Sequence, residues 1–275
     1  MPEPLIQIRD VNYAYTKEED VLHDISMDIY PGEFVAFVGQ NGAGKTTCAK
    51  LMNGILKPRT GEVVVDGQLT EEVAASVIAR NVGYSYQNPD HQIWAMKIED
   101  EIKFGPNNLS FSEAEVKEQV EEALELANLT DKRDEYTFAL GWGERQKLAV
   151  ASILAMRPKI IIVDEPTTGL DKDGSLRIMN LLQRLNKKGL TVVIITHDID
   201  IVAAYANRVV VFAGGHIVRD DMVEEVMVDL DALEKADLRP PQHIRVALAL
   251  KEYGVEVEMS PELLRENISN LLQKA

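Results

Sequence analysis

The chain predicts an α/β fold built around a parallel sheet, and three observations carry that expectation. Residues 39–46 read GQNGAGKT, between an apolar run, EFVAFV (33–38), and a helical-looking run, TTCAKLMNGIL. The spacing G-x-x-x-x-G-K-[ST] in a strand–loop–helix context is that of a phosphate-binding loop. About 120 residues later, IIIV (160–163) is continuously apolar and is ended by Asp164-Glu165. Such a run reads as a strand covered on both faces, with two acids at the end where ligands bind in open α/β sheets. Third, LIQIRDV and DISMDI alternate apolar and polar side chains, as half-buried strands do.

The elements follow in chain order. Residues 4–11 and 24–30 are the alternating strands, joined across TKEED, an expected exposed turn. The strand at 33–38 feeds the glycine-rich loop and its helix, and EVVVDG (62–67) is a strand with a turn. Residues 112–129 predict an amphipathic helix, with Ser112 as cap and Val116, Val120, Leu124 and Ala127 at helical spacing. A second apolar helix spans 143–156 and stops before Pro158. The helix at 173–188 ends at Gly189, the strand TVVIIT (191–196) follows, and a last β element, RVVVFAGGHIV, covers 208–218. After about residue 228, Pro240-Pro241 opens a helix closed by Gly254. Ser260-Pro261-Glu262 caps another, with Leu264, Ile268 and Leu271 on one face. These two helices fit a packed appendage or an interaction surface equally well.

The chemistry follows from the two motifs. Glycines at 39, 42 and 44 let the backbone around Gln40, Asn41 and Ala43 close on an anion, with the helix N-terminus at Thr46 and Thr47 behind it. Lys45 is expected to reach β- and γ-phosphates and the Thr46 hydroxyl to ligate Mg²⁺. Asp164 suits water-mediated Mg²⁺ coordination, and Glu165 suits orientation or deprotonation of an attacking water. The expected reaction is ATP hydrolysis.

Composition narrows the partners. With 29 Lys+Arg against 45 Asp+Glu the formal net charge is −16, and no basic run offers a patch for nucleic acid or anionic lipid. The single cysteine, Cys48, allows no internal disulfide, consistent with a reducing compartment, and reads as a small buried thiol. MPEPLIQIRD lacks the basic and apolar regions of a signal peptide. No apolar stretch approaches the roughly 18–20 residues that span a bilayer. A cytoplasmic chain that reaches a membrane through partners is expected.

Between and after the two motifs, residues 4–225 resemble the ATP-binding-cassette (ABC) ATPases. The resemblance implies a P-loop NTPase core with an antiparallel β subdomain, a helical subdomain at about 88–157, and a small helical extension after 227. It implies that Tyr15 in YAYT stacks on adenine, where the residues alone allow simple packing on a neighbour. It implies that Gln87 in YSYQNPD senses Mg²⁺ and the attacking water. Asp171, in Gly169-Leu170-Asp171, would reach the nucleotide of the opposite subunit, and His197 would contact the γ-phosphate.

One stretch departs from the family. LGWGERQK (140–147) stands where Leu-Ser-Gly-Gly is usual, so Gly141, Trp142 and Gly143 occupy the positions that grip the partner's γ-phosphate. Gly141 has no hydroxyl, and Trp142 brings a bulky ring, unless that ring is turned aside. One charge-assisted hydrogen bond fewer costs about 1.5–3 kcal/mol, one or two orders of magnitude in rate. The weakened site would be the partner's, which favours a heterodimer with a second ABC ATPase over a homodimer.

QNPDHQIWAMKIEDEIKFGPNNL (87–109) and ADLRPPQ (236–242) are similar to the ATPases of energy-coupling-factor and cobalt/nickel importers. In that group a second glutamine, matched by Gln92, lies in a helix lining the groove for a transmembrane coupling subunit, a separate membrane subunit binds the substrate, and the C-terminal extension aids dimerisation. A vitamin or transition-metal importer is therefore expected. A soluble cassette acting on DNA, ribosomes or cofactor assembly, or one contributing a mainly regulatory ATP site, stands as the alternative.

Overall fold

The computed structural model describes residues 3–17 and 20–274; Glu18 and Glu19 of the expected TKEED turn lie outside the described residues. Strands β1 (Ile6–Ala14), β2 (Asp20–Ile29) and β3 (Phe34–Val38) lead to helix α1 (Lys45–Met52). Then come β4 (Thr60–Val65), β5 (Gln68–Leu69), α2 (Ala75–Ile78), β6 (Val82–Ser85), α3 (Ile98–Asn108), α4 (Glu113–Ala127) and α5 (Trp142–Leu154). The chain continues through β7 (Ile160–Asp164), α6 (Lys172–Lys187), β8 (Thr191–Ile195), α7 (Ile199–Tyr205), β9 (Arg208–Ala213) and β10 (His216–Met222). Helices α8 (Val223–Val228), α9 (Leu230–Lys235), α10 (Gln242–Ala249) and α11 (Pro261–Lys274) complete it.

Among the described residues the strands form two sheets. One has the order β2-β1-β4-β5 and is antiparallel; the other has the order β10-β9-β3-β8-β7-β6, parallel throughout except for β10. Every residue of β3, β7 and β8 is buried, as their unbroken apolar runs require in a sheet covered on both sides. One face packs Phe37, Ile162 and Val193 against α1 and the antiparallel sheet. The other packs Ile161, Val163 and Ile194 against α6 and α7, and the same core continues through Val226, Leu233 and Ile244. The chain beyond residue 228 is thus partly built into the main core. Helix α11 packs through Leu264 on a small separate cluster with Ala247 of α10 and Val255.

Several boundaries differ from the sequence expectation, and β2 begins at Asp20, inside the expected TKEED turn, four residues before the expected start. The first strand runs to Ala14 because the pairing slips between Ile8 and Val11, where Asp10 takes a φ of 49°; the bulge absorbs the residue that breaks the alternation. The helix opened by Pro241 ends at Ala249, and Gly254 (φ 85°) instead closes a separate 3₁₀ turn, Lys251–Tyr253. The helical unit is α3, α4 and α5 packed through Ile98, Ile102, Val116, Val120, Leu124 and Leu148. Ser112 does cap α4: its hydroxyl accepts from the Glu115 N–H and the Glu115 carboxylate accepts from the Ser112 N–H.

Candidate functional site

The C-terminal ends of β3 and β7 lie two strands apart in the parallel sheet, with β8 between them. This topology brings the glycine-rich loop to Asp164 and Glu165. A cleft of about 380 Å³ opens there, lined by Tyr15, Asn41, Gly42, Gly44, Lys45, Thr46, Thr47, Gln87, Asp164 and Glu165. Two motifs more than a hundred residues apart therefore share one cavity, and the exposed Gln87 at the end of β6 faces it from the side.

The loop is shaped by backbone that other residues resist. Gly39 has a φ of 140°, and a Cβ there would lie 2.1 Å from the Phe212 carbonyl oxygen; β9 backs directly onto the loop. Gly42 and Gly44 have φ of 84° and 102°, the left-handed region glycine enters without penalty. The Ala43 N–H donates to the Gln40 carbonyl at 3.1 Å, so Gln40 and Ala43 close the turn instead of facing the cleft.

Lys45 is buried, and its ammonium donates to the carbonyls of Gly39 (2.6 Å) and Gln40 (2.8 Å). Burial lowers its pKa from the ordinary lysine value, opposed by the charges of Glu165 and Asp164. A lysine tied only to neutral carbonyls and lodged in a glycine-rich loop is a cation awaiting an anion. Asp164 Oδ2 accepts from the Thr46 hydroxyl at 3.0 Å and the Tyr84 hydroxyl at 2.9 Å. Burial pushes its carboxyl above the usual carboxylate value, those two bonds pull it down, and the Glu165 charge raises it further. Tyr84 is pushed up too, by burial first and then by Asp164.

A sparse set of one carboxylate, one hydroxyl and a nearby amide suits Mg²⁺, which keeps most of its waters and takes few protein oxygens. The donors present fit that ion. Beside them, Glu165 is buried, with a left-handed φ of 51°. Its Oε1 lies 2.8 Å from His197 Nδ1 and its Oε2 accepts from the Thr168 hydroxyl at 3.2 Å. With the carboxylate ionised, the ring donates. The imidazole is otherwise two-thirds exposed, at 66%, beside the cleft.

Tyr15 is 57% exposed at the cleft edge, its hydroxyl 3.1 Å from Thr47 Oγ1 and its ring edge-to-face on Tyr13. It thus packs on a neighbour and still presents a free face. The remaining expected residues lie away from the cleft. Asp171 caps α6, accepting from the Gly174 N–H at 2.7 Å. Gly141 is the N-cap of α5, its N–H donating to Glu144 Oε2 at 3.3 Å, and Gly143 follows in the first turn.

Of the two placements the sequence left open for the Trp142 ring, the structure shows the one turned aside from the start of α5. The ring folds onto the loop after β7, its Nε1 donating to the Thr168 carbonyl at 3.1 Å, and a Cβ on Gly141 would meet nothing within 4 Å. Sequence reasoning passed over Tyr84 and Thr168, the partners of the two acids. YSYQ places Tyr84 at the end of a short strand, but no spacing rule ties it to Asp164.

A second cavity, about 450 Å³, lies between the helical unit and the parallel sheet, lined in part by Tyr84, Gln92, Trp94, Glu101, Phe104 and Met156. Gln92 is not in a helix as expected but follows a single 3₁₀ turn, Pro89–His91; its amide donates to the Ala149 carbonyl at 2.7 Å and its oxygen accepts from the Tyr86 N–H at 3.3 Å. Buried Glu101 accepts from the N–H groups of Trp94 and Ala95. Trp94 (68% exposed) packs edge-on against Phe104.

Residues 22–168 match the ABC transporter family. A putative ABC transporter ATP-binding protein of Caldanaerobacter subterraneus is 45% identical over 92% of this chain, which spans only 45% of that relative. The energy-coupling factor transporter ATP-binding protein EcfA of Methanocaldococcus jannaschii is 37% identical over 98% of this chain and 99% of its own length. Among solved structures, cbiO1 of Clostridium perfringens, part of the transporter complex cbiONQ, aligns over 90% of this chain and 99% of its own. Its TM-score is 0.77 and its identity 32%. A dimeric ATP-binding cassette bound to ADP and Pi in a post-hydrolysis state aligns over 79% of this chain and 98% of its own, at TM-score 0.71 and 28% identity.

Proposed function

The chain belongs to the ABC transporter ATPases, and from that membership we propose that it powers an energy-coupling-factor importer of vitamins or transition-metal ions. It would lie on the cytoplasmic face of the membrane, paired with a second cassette. The observation that carries the reading is the single cleft in which Lys45, Thr46, Asp164 and Glu165 converge. ATP is the substrate of such a site. The Lys45 ammonium exchanges its two carbonyls for phosphate oxygens, and the loop N–H groups add to that charge stabilisation. Thr46, Asp164 and Gln87 would hold Mg²⁺, which supplies charge neutralisation on the phosphate oxygens. Glu165 accepts the proton of the attacking water as its oxygen bonds to the γ-phosphorus and the bond from that phosphorus to the β–γ bridging oxygen breaks, leaving ADP and phosphate. His197, bonded to Oε1, orients that carboxylate.

Support for the transport reading comes from outside the cleft. Among the described residues no helix is long and apolar enough to cross a membrane, and in the proposed complex separate membrane subunits would span it. The cavity beside Gln92, with exposed Trp94 and Phe104 on its rim and a mainly apolar lining, is of the kind that receives the apolar face of a partner helix. The relatives named EcfA and cbiO1 are similar over nearly all of this chain.

A heterodimer is favoured because Gly141 offers no hydroxyl to a partner's nucleotide. The test is Mg-dependent ATPase of the chain, alone and with any cassette and membrane subunits that copurify, against Glu165→Gln. Turnover should fall about 10²–10⁴-fold in the variant with ATP still bound. A chain that hydrolyses ATP equally well without Glu165, or that copurifies with no membrane subunit, overturns the reading.

A further inference from the structure

The tryptophan that replaces a glycine at position 142 ties two parts of the chain together. Its Nε1 donates to the Thr168 carbonyl, and the Thr168 hydroxyl donates to Glu165 Oε2. The Thr168 N–H also returns to the Glu165 carbonyl at 3.2 Å. The loop from Glu165 to Leu170 therefore lies against the first turn of α5. A Cβ on Gly169 would sit 2.9 Å from the indole nitrogen, and one on Gly143 would sit 3.3 Å from the Leu170 side chain. Tryptophan at 142 fits a glycine at 169, and a glycine at 143 fits Leu170.

Glu165 needs such support. Its left-handed backbone persists only where surrounding contacts over-determine it, and Thr168 supplies the one side-chain bond to Oε2 among the described residues. We propose that Trp142 is a positioning residue for ATP hydrolysis: through Thr168 it clamps the loop that holds Glu165 in its working orientation. The proposal rests on the hydrolase reading above. It gives the altered signature a use within this chain's own site, separate from any loss at the partner's.

The test is a double-mutant cycle in the full chain, assayed as the complex in which it hydrolyses ATP. Trp142→Phe keeps a ring and removes the donor; Thr168→Val keeps the carbonyl and removes the hydroxyl. Each should lower kcat about two- to tenfold, the value of one hydrogen bond, with KM for ATP unchanged because the phosphate loop is untouched.

If both act on Glu165 through the same loop, the double variant should lose little beyond Thr168→Val alone. Multiplying losses would mean that Trp142 acts elsewhere, for instance on the partner's nucleotide, and would overturn the proposal. So would wild-type kcat in Trp142→Phe, or a matching rise in KM. Where Trp142→Phe folds poorly, Thr168→Ser decides: it should retain wild-type kcat, and a loss equal to that of Thr168→Val refutes the clamp. Wild-type protein without Glu165-dependent turnover would defeat the hydrolase reading itself.

Discussion

Replacing Gly141 with serine separates two uses of a single hydroxyl. Gly141 has φ −68° and ψ 164° at the N-cap of α5, a conformation serine adopts without strain, and a Cβ there meets no heavy atom within 4 Å. Glu144 is already in place as the N3 acid, so serine would complete a capping box. Glycine-to-serine at an N-cap is worth a few tenths of a kcal/mol, and restricting the unfolded backbone adds about 0.4–1 kcal/mol. Together these raise the melting temperature by roughly 1–4 °C. If the position also faces the nucleotide on the partner's phosphate loop, the hydroxyl adds a charge-assisted hydrogen bond of about 1.5–3 kcal/mol. That corresponds to about a 10–150-fold faster rate at that site. The assay is steady-state ATPase of the assembled pair beside a thermal melt of the chain. A melt that rises while the rate stays flat refutes the argument that the missing serine weakens the partner's site.

Other expectations follow from the cleft. Because burial raises the Asp164 carboxyl above 3.8, its protonated form favours the ligand-free fold. That stability is fully present below 3.8 and is lost as pH rises through the raised value. Asp164→Asn removes the term, so its melting temperature should gain on the wild type as pH rises from 3.8 through that raised value, without nucleotide or Mg²⁺, while its Mg-ATPase is lost. A gap independent of pH in thermal melts would refute this. Gly39→Ala forces a Cβ to 2.1 Å from the Phe212 carbonyl and should destabilise the chain by about 1–3 kcal/mol, read in denaturant unfolding together with weaker ATP binding.

The parts legible in the sequence are those where local chemistry and global position agree. GQNGAGKT, the run ending in Asp164-Glu165, and the Ser112 box each specify a loop, strand or cap by their own residues. The missed elements lack such a signature. Helix α3 carries Gly105-Pro106, residues that usually stop helices, and runs on to Asn108. A Cβ at 105 would strike the Met156 side chain at 2.5 Å, so the glycine serves close packing on the segment just after α5, and buried Ile98 and Ile102 anchor the helix. Strand β6 is four residues long and gains its identity from pairing with β7. Helices α8 and α9 are six residues each, too short to show periodicity. In the site, the acids were visible but Tyr84 and Thr168 were not, since a hydrogen bond across a sheet or within an irregular loop leaves no mark in spacing. The direction of the Trp142 ring is a rotamer choice made by the loop after β7, some 26 residues away.

The chain has two tryptophans, and they stand at two separate working surfaces. Trp94 is on the rim of the cavity beside Gln92, largely exposed to solvent. Trp142 is half-buried on the loop that carries Glu165. Their emission should therefore differ in colour, the first red-shifted by water and the second bluer. A Trp94→Phe protein becomes an optical reporter of movement in the hydrolytic loop, with no dye attached. A protein that retains Trp94 as its one indole reports instead when a partner helix excludes water from the groove. Stopped-flow traces of the two proteins would time movement of the hydrolytic loop on nucleotide addition against membrane-subunit docking.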